Sequence, residues 1–230
     1  MEEIFLAAKP MLIPALYELA LACCKYDATS YNGTYSKFCI GVNYSLDLNI
    51  IDHRKKLITL LNAWRCRLPE EVKNKIIQEI GKWYDSNQNR LPKKNALLWE
   101  MTKNDLNCVG EAYEALLSML ISFRPTCTSK ILFALRPESL VPWDTSIRNQ
   151  LRHDGSPASY IEYLCFNKSI ILEIEKLCKR NGFDLIKLPE KLGYPNLSVA
   201  MIINQYYMIA FTIKSALPKL DLLKRWTSWS

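Results

Sequence analysis

The sequence predicts a mostly α-helical fold built as a single compact domain over residues 1–230. Three observations lead there. Apolar residues recur at helical spacing along most of the chain, whereas strand-type alternation is confined to residues 31–51. Apolar residues make up 49% of the total and glycines number only seven, a composition that suits a packed globule and disfavours disorder or a glycine-rich nucleotide loop. No linker, internal repeat or low-complexity tract divides the chain.

The elements follow in order. In "YNGTYSKFCIGVNYSLDLNII" (31–51), Asn32-Gly33 is a turn dipeptide and Phe38, Ile40 and Val42 alternate, which reads as a small β-hairpin or a loop. Leu57, Leu60, Leu61 and Trp64 then share one helix face. Pro69 with Glu70 and Glu71 starts the next helix, proline at its first turn and acids at its positive end, followed by Val72, Ile76, Ile80 and Trp83 or Tyr84. Residues 85–95 form a polar connector, and Ala96 to Met101 a short helix. Gly110 to Phe123 is helical, with Tyr113, Leu116, Leu117, Leu120 and Ile121 on one side. "FRPTCTSK" (123–130) reads as a sharp turn: Pro125 stops one helix, and Thr128 or Ser129 caps another that runs to about Leu135. Helices are expected over 144–153, over 157–180 with a break near Asn167, and over 198–215, with a loop-rich connector at 183–196.

The net charge of +7 favours polyanionic partners. No window of about 18 uninterrupted apolar residues is present, so no membrane partner is expected. The start MEEIF is acidic where a secretory signal is basic, which gives a cytoplasmic expectation. The eight cysteines contain no C-x-x-C pair and have only His53 and His153 to help them. They read as reduced, small apolar residues, the histidines as surface residues, and no metal or small-molecule cofactor is expected. There is no G-x-x-x-x-G-K-[ST], G-x-S-x-G or H-E-x-x-H.

One stretch stands apart. In "SKILFALRPESLVPWDTSIRNQL" (129–151) an apolar helix ends at Arg136-Pro137, and Asp144 opens a new helix behind Pro142-Trp143. The string "VPWDTSIR", through Val141, Pro142, Asp144, Thr145 and Ile147, resembles the "VPVDTHV"-like motif of the HhH-GPD (helix-hairpin-helix) DNA glycosylase superfamily. Upstream, "LITLLNAWRCRLPEEVKNKIIQEI" (57–80) is similar to that superfamily's first barrel helix, polar elbow and following helix. Elbow, several helices, turn, helix and aspartate keep their order over roughly residues 50–155. This stretch would be the glycosylase-like core, with the N- and C-terminal helices packing as a second lobe.

The resemblance implies a monofunctional DNA glycosylase whose partner is double-stranded DNA carrying a modified base, in base excision repair or antiviral defence. Rupture of an N-glycosidic bond leaves positive charge on the sugar, which a nearby carboxylate stabilises while it orients or deprotonates water. Asp144 would be that catalytic group. Base extrusion costs a few kcal/mol. Asn62 would plug the gap, Arg65 would share the elbow, and Trp64, Trp143 or Trp99 would give a stacking face. Arg124, Lys130, Arg148 and Arg152 would hold phosphates, with Thr126, Thr128 and Ser129 as further donors at the turn. Departures accompany the match. "RPTCTSK" replaces a glycine-containing hairpin, and the four-cysteine cluster loop of the endonuclease-III-like members is absent. Bifunctional members carry a lysine about 18 or 19 residues before the aspartate, where this chain has Thr126 or Pro125, so lyase activity is not expected.

A plainer reading uses the same residues. Asp144 would be an N-cap worth about 1 kcal/mol, Asn62 and Trp64 a cap and a core anchor, and Lys130, Arg148 and Arg152 solvated charges. Met208 with Tyr206, Tyr207 and Phe211 reads as core packing. The alternative function is then a non-catalytic helical DNA-binding or protein-interaction module.

Overall fold

The computed structural model describes residues 13–29, 33–119 and 123–215. Among these the chain is helical and contains no strand. Helix α1 is Leu16–Asp27, α2 Thr34–Gly41, α3 Ile51–Ala63, α4 Lys73–Asn87 and α5 Lys103–Met119. Next come α6 at Pro125–Leu135, α7 at Thr145–Leu151, α8 at Pro157–Arg180, α9 at Leu188–Lys191 and α10 at Val199–Tyr207. A π-helical turn, Met208–Ile213, continues α10.

The hairpin expected over 31–51 is a helix instead, with Asn32 outside the described residues. Phe38 and Val42 are four apart, so a helix places both on the buried face with Tyr35. Ile40 falls on the opposite side and is 65% exposed. A true strand would have kept all three on one face.

Helices α3 and α4 pair through their apolar stripes, Leu57, Ile58, Leu60 and Leu61 facing Ile76, Ile77 and Ile80. The start expected at Pro69 begins as a 3-10 turn, Glu70–Val72, and becomes α4 at Lys73. The short helix over 96–101 is a single 3-10 turn, Leu98–Glu100. Helix α5 begins at Lys103, seven residues before Gly110. Gly110 lies where α5 meets α8, and a Cβ there would run into Ile161. Leu120 and Ile121 lie outside the described residues.

Helix α6 opens earlier than expected, with Pro125 at its first turn and Arg124 at the N-cap. Proline's fixed φ and missing N–H suit that position, so Thr128 and Ser129 fall inside the helix instead of capping it. Helix α8 runs unbroken past Asn167, whose buried amide donates to the Tyr163 carbonyl at 2.7 Å and accepts from the Tyr207 hydroxyl at 3.1 Å. Every residue of α10 is buried, including Asn204 and Gln205, and α1 packs along it. No helix among the described residues is long and apolar enough to cross a membrane.

Candidate functional site

The segment that carries Asp144 is held between two helices. The Tyr160 hydroxyl donates to the Val141 carbonyl at 3.2 Å, and the Tyr163 hydroxyl to the Pro142 carbonyl at 3.1 Å. The Ser129 hydroxyl accepts from the Trp143 amide at 3.2 Å, while the Trp143 indole donates to the Pro125 carbonyl at 3.0 Å. These bonds fasten an irregular segment to α6 and α8 with its buried backbone groups paired. The backbone that leads into Asp144 is thereby held in place.

Asp144 is half-buried at the N-cap of α7, where Oδ1 accepts from the Ile147 amide at 2.8 Å. Capping needs no more than that: Ser156 and Ser198 cap α8 and α10 with a neutral hydroxyl in the same way. Asp144 adds a negative charge and a second, long-range bond, from the Thr212 hydroxyl to Oδ2 at 2.7 Å. Thr212 lies on the π-helical turn, the kind of local widening found mostly as single turns and frequently at functional sites.

Asp144 and Thr212 line one pocket with a volume of about 230 Å³. Trp64 and Arg65 from the end of α3, Thr126 and Lys130 from α6, and Tyr26 from α1 complete its wall with Asn204 and Met208. Such a volume lies below the roughly 300–1,000 Å³ of drug-sized sites and suits a single ring system. The Lys130 ammonium donates to the Trp64 carbonyl at 2.7 Å and lies 5.8 Å from the centre of the Trp64 ring. A carboxylate, two cations and an aromatic edge therefore meet around one opening. A larger depression near α9, about 360 Å³ and lined by Lys179, Lys187 and Lys191, contains none of the motif residues.

Arg65 reaches the pocket from an unusual backbone. It follows α3 in a Schellman turn, with Cys66 N–H bonding Leu61 C=O at 2.9 Å and Arg65 N–H bonding Asn62 C=O at 2.9 Å. Glycine normally fills that left-handed position, yet here Arg65 stands at φ 60°. Arg67, two residues on, is also left-handed at φ 54°.

Several expected roles are corrected. Asn62, expected as the plug, is absent from the pocket lining, and its amide accepts from the Leu68 N–H at 2.8 Å and donates to the Leu68 carbonyl at 3.4 Å, clamping the elbow. Thr128 and Ser129 are wholly buried and bond the Arg124 and Thr126 carbonyls respectively, so neither faces a phosphate. Trp143 abuts the pocket floor but is 0% exposed and offers no open stacking face. Trp64 is mostly a core residue, stacked on Tyr35 at 5.6 Å; its buried indole N–H has no hydrogen-bond partner among the described residues. Trp99 packs on the core away from the pocket wall.

The cations divide. Arg148 is half-buried, donating to the Thr145 hydroxyl at 3.3 Å with its guanidinium 5.8 Å from the Trp143 ring. Arg124 and Arg152 are exposed at the start of α6 and the end of α7. His153 is not a surface residue: it is half-buried, bonded to the Ser159 hydroxyl at 3.0 Å and set edge-on to Tyr163. Burial holds its pKa below the usual histidine value, against the pull of Glu162 and Asp154.

Tyr26, Asn204 and Thr212 are pocket residues that the sequence did not single out, and Met208, read there as core packing, lines the pocket too. Asn204 and Met208 lie in a run apolar nearly all round, where periodicity signals core and nothing marks the edge that opens on a cavity. Comparison with protein-family models, with curated proteins and with solved structures gives no match for this chain, so its own geometry carries the functional argument.

Proposed function

We propose that this chain is a monofunctional DNA glycosylase that draws a modified base into the Asp144 pocket and hydrolyses its N-glycosidic bond. One observation carries the reading: a carboxylate positioned by two hydrogen bonds faces a small cavity walled by an aromatic edge and two cations. In the step envisaged, the C1′–N bond breaks with its electrons going to the base. Asp144 stabilises the positive charge left on the sugar, and water adds at C1′ while losing a proton toward the carboxylate. Arg65 and Lys130 raise the local affinity for a polyanion and offset negative charge on the departing base.

The capping bond to Ile147 supports a second reading, in which Asp144 only starts α7 and the chain is a helical DNA-binding or partner-binding module. A panel of duplexes, each with one modified base and developed with hot alkali, separates the two. Strand breaks at one modified base, dependent on the protein, support the glycosylase. Salt-sensitive duplex binding with no abasic product on any member supports the module. Absence of any duplex binding removes the glycosylase and the DNA-binding module and leaves the partner-binding one.

A further inference from the structure

One residue of the pocket wall is polar, buried and almost without a partner. Asn204 is 8% exposed, yet among the described residues its side-chain nitrogen reaches only the Met201 sulfur at 3.9 Å, and its amide oxygen bonds nothing. A thioether is a weak acceptor. Buried amides are normally paired, because an unmade bond leaves the cost of desolvation uncompensated. The other buried asparagines obey that rule. Asn87 bonds the Trp83 carbonyl and Arg90, and Asn167 bonds Tyr163 and Tyr207. Nor is the Asn204 oxygen sealed in the core, unlike that of Gln205 beside it in the chain.

Position explains the exception. Asn204, Met208 and Thr212 recur every four residues along α10 and the π-helical turn, and all three line the pocket. Residues at that spacing share a helix face. Thr212 shows where the face points, since its hydroxyl bonds Asp144. A helix backbone is wrapped by its own turns, so Asn204 meets the cavity through its amide. The carboxylate therefore stands at one end of this face and an unused amide at the other, two turns or roughly 11 Å along the axis. A sugar held at Asp144 directs its base toward Asn204.

The wall also selects the chemistry of that base. In either orientation an asparagine amide sets one donor beside one acceptor, and its complement is a ring edge with the two reversed. A lactam edge (N–H beside C=O) and an amidine edge both qualify. Lys130 and Arg65 set two positive charges against one carboxylate, so a base that leaves with negative charge is stabilised and a cationic base is repelled. A cationic base also gains most over an open aromatic face, and Trp143, Trp64 and Tyr26 are all buried. A lactam spreads negative charge over its O–C–N atoms, within reach of an amide donor. An amidine leaves easily only after taking on a positive charge.

Resting on the glycosylase reading, we propose that Asn204 is the specificity-determining residue of the pocket and that the base it takes is a neutral lactam of the uracil or hypoxanthine kind. The C1′–N bond breaks with both electrons on the base, which departs as a lactam anion bonded by the Asn204 N–H. Water gives its hydroxyl to C1′, and its proton passes by way of Asp144 to the base. One water is consumed for each bond broken.

The test has two arms, and the first needs no turnover. In the full chain labelled with nitrogen-15, the side-chain amide signals of Asn204, identified by their loss in Asn204→Leu, are followed during titration. The probes are 1-methyluracil and 1,3-dimethyluracil, which differ by one methyl on the lactam nitrogen. A saturable shift with the first and at least tenfold weaker binding of the second is expected. Equal binding of the two, or no shift with either, would overturn the proposal. The second arm compares single-turnover release from duplexes carrying uracil, hypoxanthine, ethenoadenine or 3-methyladenine. Uracil or hypoxanthine should leave at least tenfold faster than the other two. Asn204→Leu should abolish that preference, with duplex affinity unchanged and a thermal midpoint at or above that of the parent. Faster release of ethenoadenine or 3-methyladenine would overturn the lactam assignment and leave the glycosylase standing. A chain that releases no base from any duplex refutes the glycosylase, and the titration then decides by itself whether Asn204 reads a lactam.

Discussion

The hydroxyl of Thr212 donates to Oδ2 of Asp144 at 2.7 Å, joining a π-helical turn near residue 213 to the first turn of a helix 68 residues earlier. Capping does not require this bond, since Oδ1 already serves the Ile147 amide. Its effect is to fix which carboxylate edge faces the pocket.

Thr212→Val removes the hydroxyl and keeps the shape. A hydrogen bond to a charged group is worth about 1.5–3 kcal/mol, and each 1.4 kcal/mol of barrier is about tenfold in rate. Single-turnover base release should fall about tenfold or more with duplex affinity unchanged, and Thr212→Ser should restore it. A Val variant as fast as the parent would show that Thr212 does not position the carboxylate.

Arg65→Gly separates stability from function. Glycine adopts the left-handed position freely, while its greater freedom in the unfolded chain offsets part of that gain. The denaturation midpoint should hold or rise slightly, by up to about 1 kcal/mol, while duplex binding weakens and its salt dependence becomes shallower. A large loss of stability would mean that the Arg65 side chain is a structural prop.

Ser129→Ala distinguishes support from phosphate contact. The variant strands the buried Trp143 amide, a cost of about 1–3 kcal/mol. Thermal stability should drop by that amount, with the salt slope of DNA binding unchanged. Parent-like stability and a slope reduced by about one would restore the phosphate role.

His153 links pH to stability. Its folded pKa is depressed by burial, so the unfolded chain binds the proton more readily. The stabilisation it contributes is present above the unfolded value of 6.5 and is lost as pH falls through the lower folded value. Urea midpoints of the parent should therefore fall more steeply between pH 7.5 and pH 5 than those of His153→Gln. Parallel slopes would contradict this.

What the sequence made legible was periodicity and end chemistry. The α3 and α4 stripes, the extent of α8 over 157–180 and Asp144 at the head of α7 all follow from local spacing and caps. Partners of polar side chains were not legible. Asn62, Thr128 and Ser129 have the donors that a phosphate or a base wants, yet each is consumed by a nearby backbone group. Residues 38–42 misled because three alternating apolar residues fit a strand, while the helix that forms buries Phe38 and Val42 and turns Ile40 outward. Thr212 was invisible because its importance comes from a contact across 68 residues, inside a run whose composition reads as core.

Asp144→Asn tests the central claim most directly, because asparagine caps a helix about as well as aspartate and the substitution removes the charge while leaving the Ile147 bond possible. On the duplex that the parent processes, single-turnover base release should fall by at least a thousandfold, with thermal midpoint and duplex affinity close to those of the parent. Base release within a few-fold of the parent would contradict the account and leave Asp144 as the cap of α7.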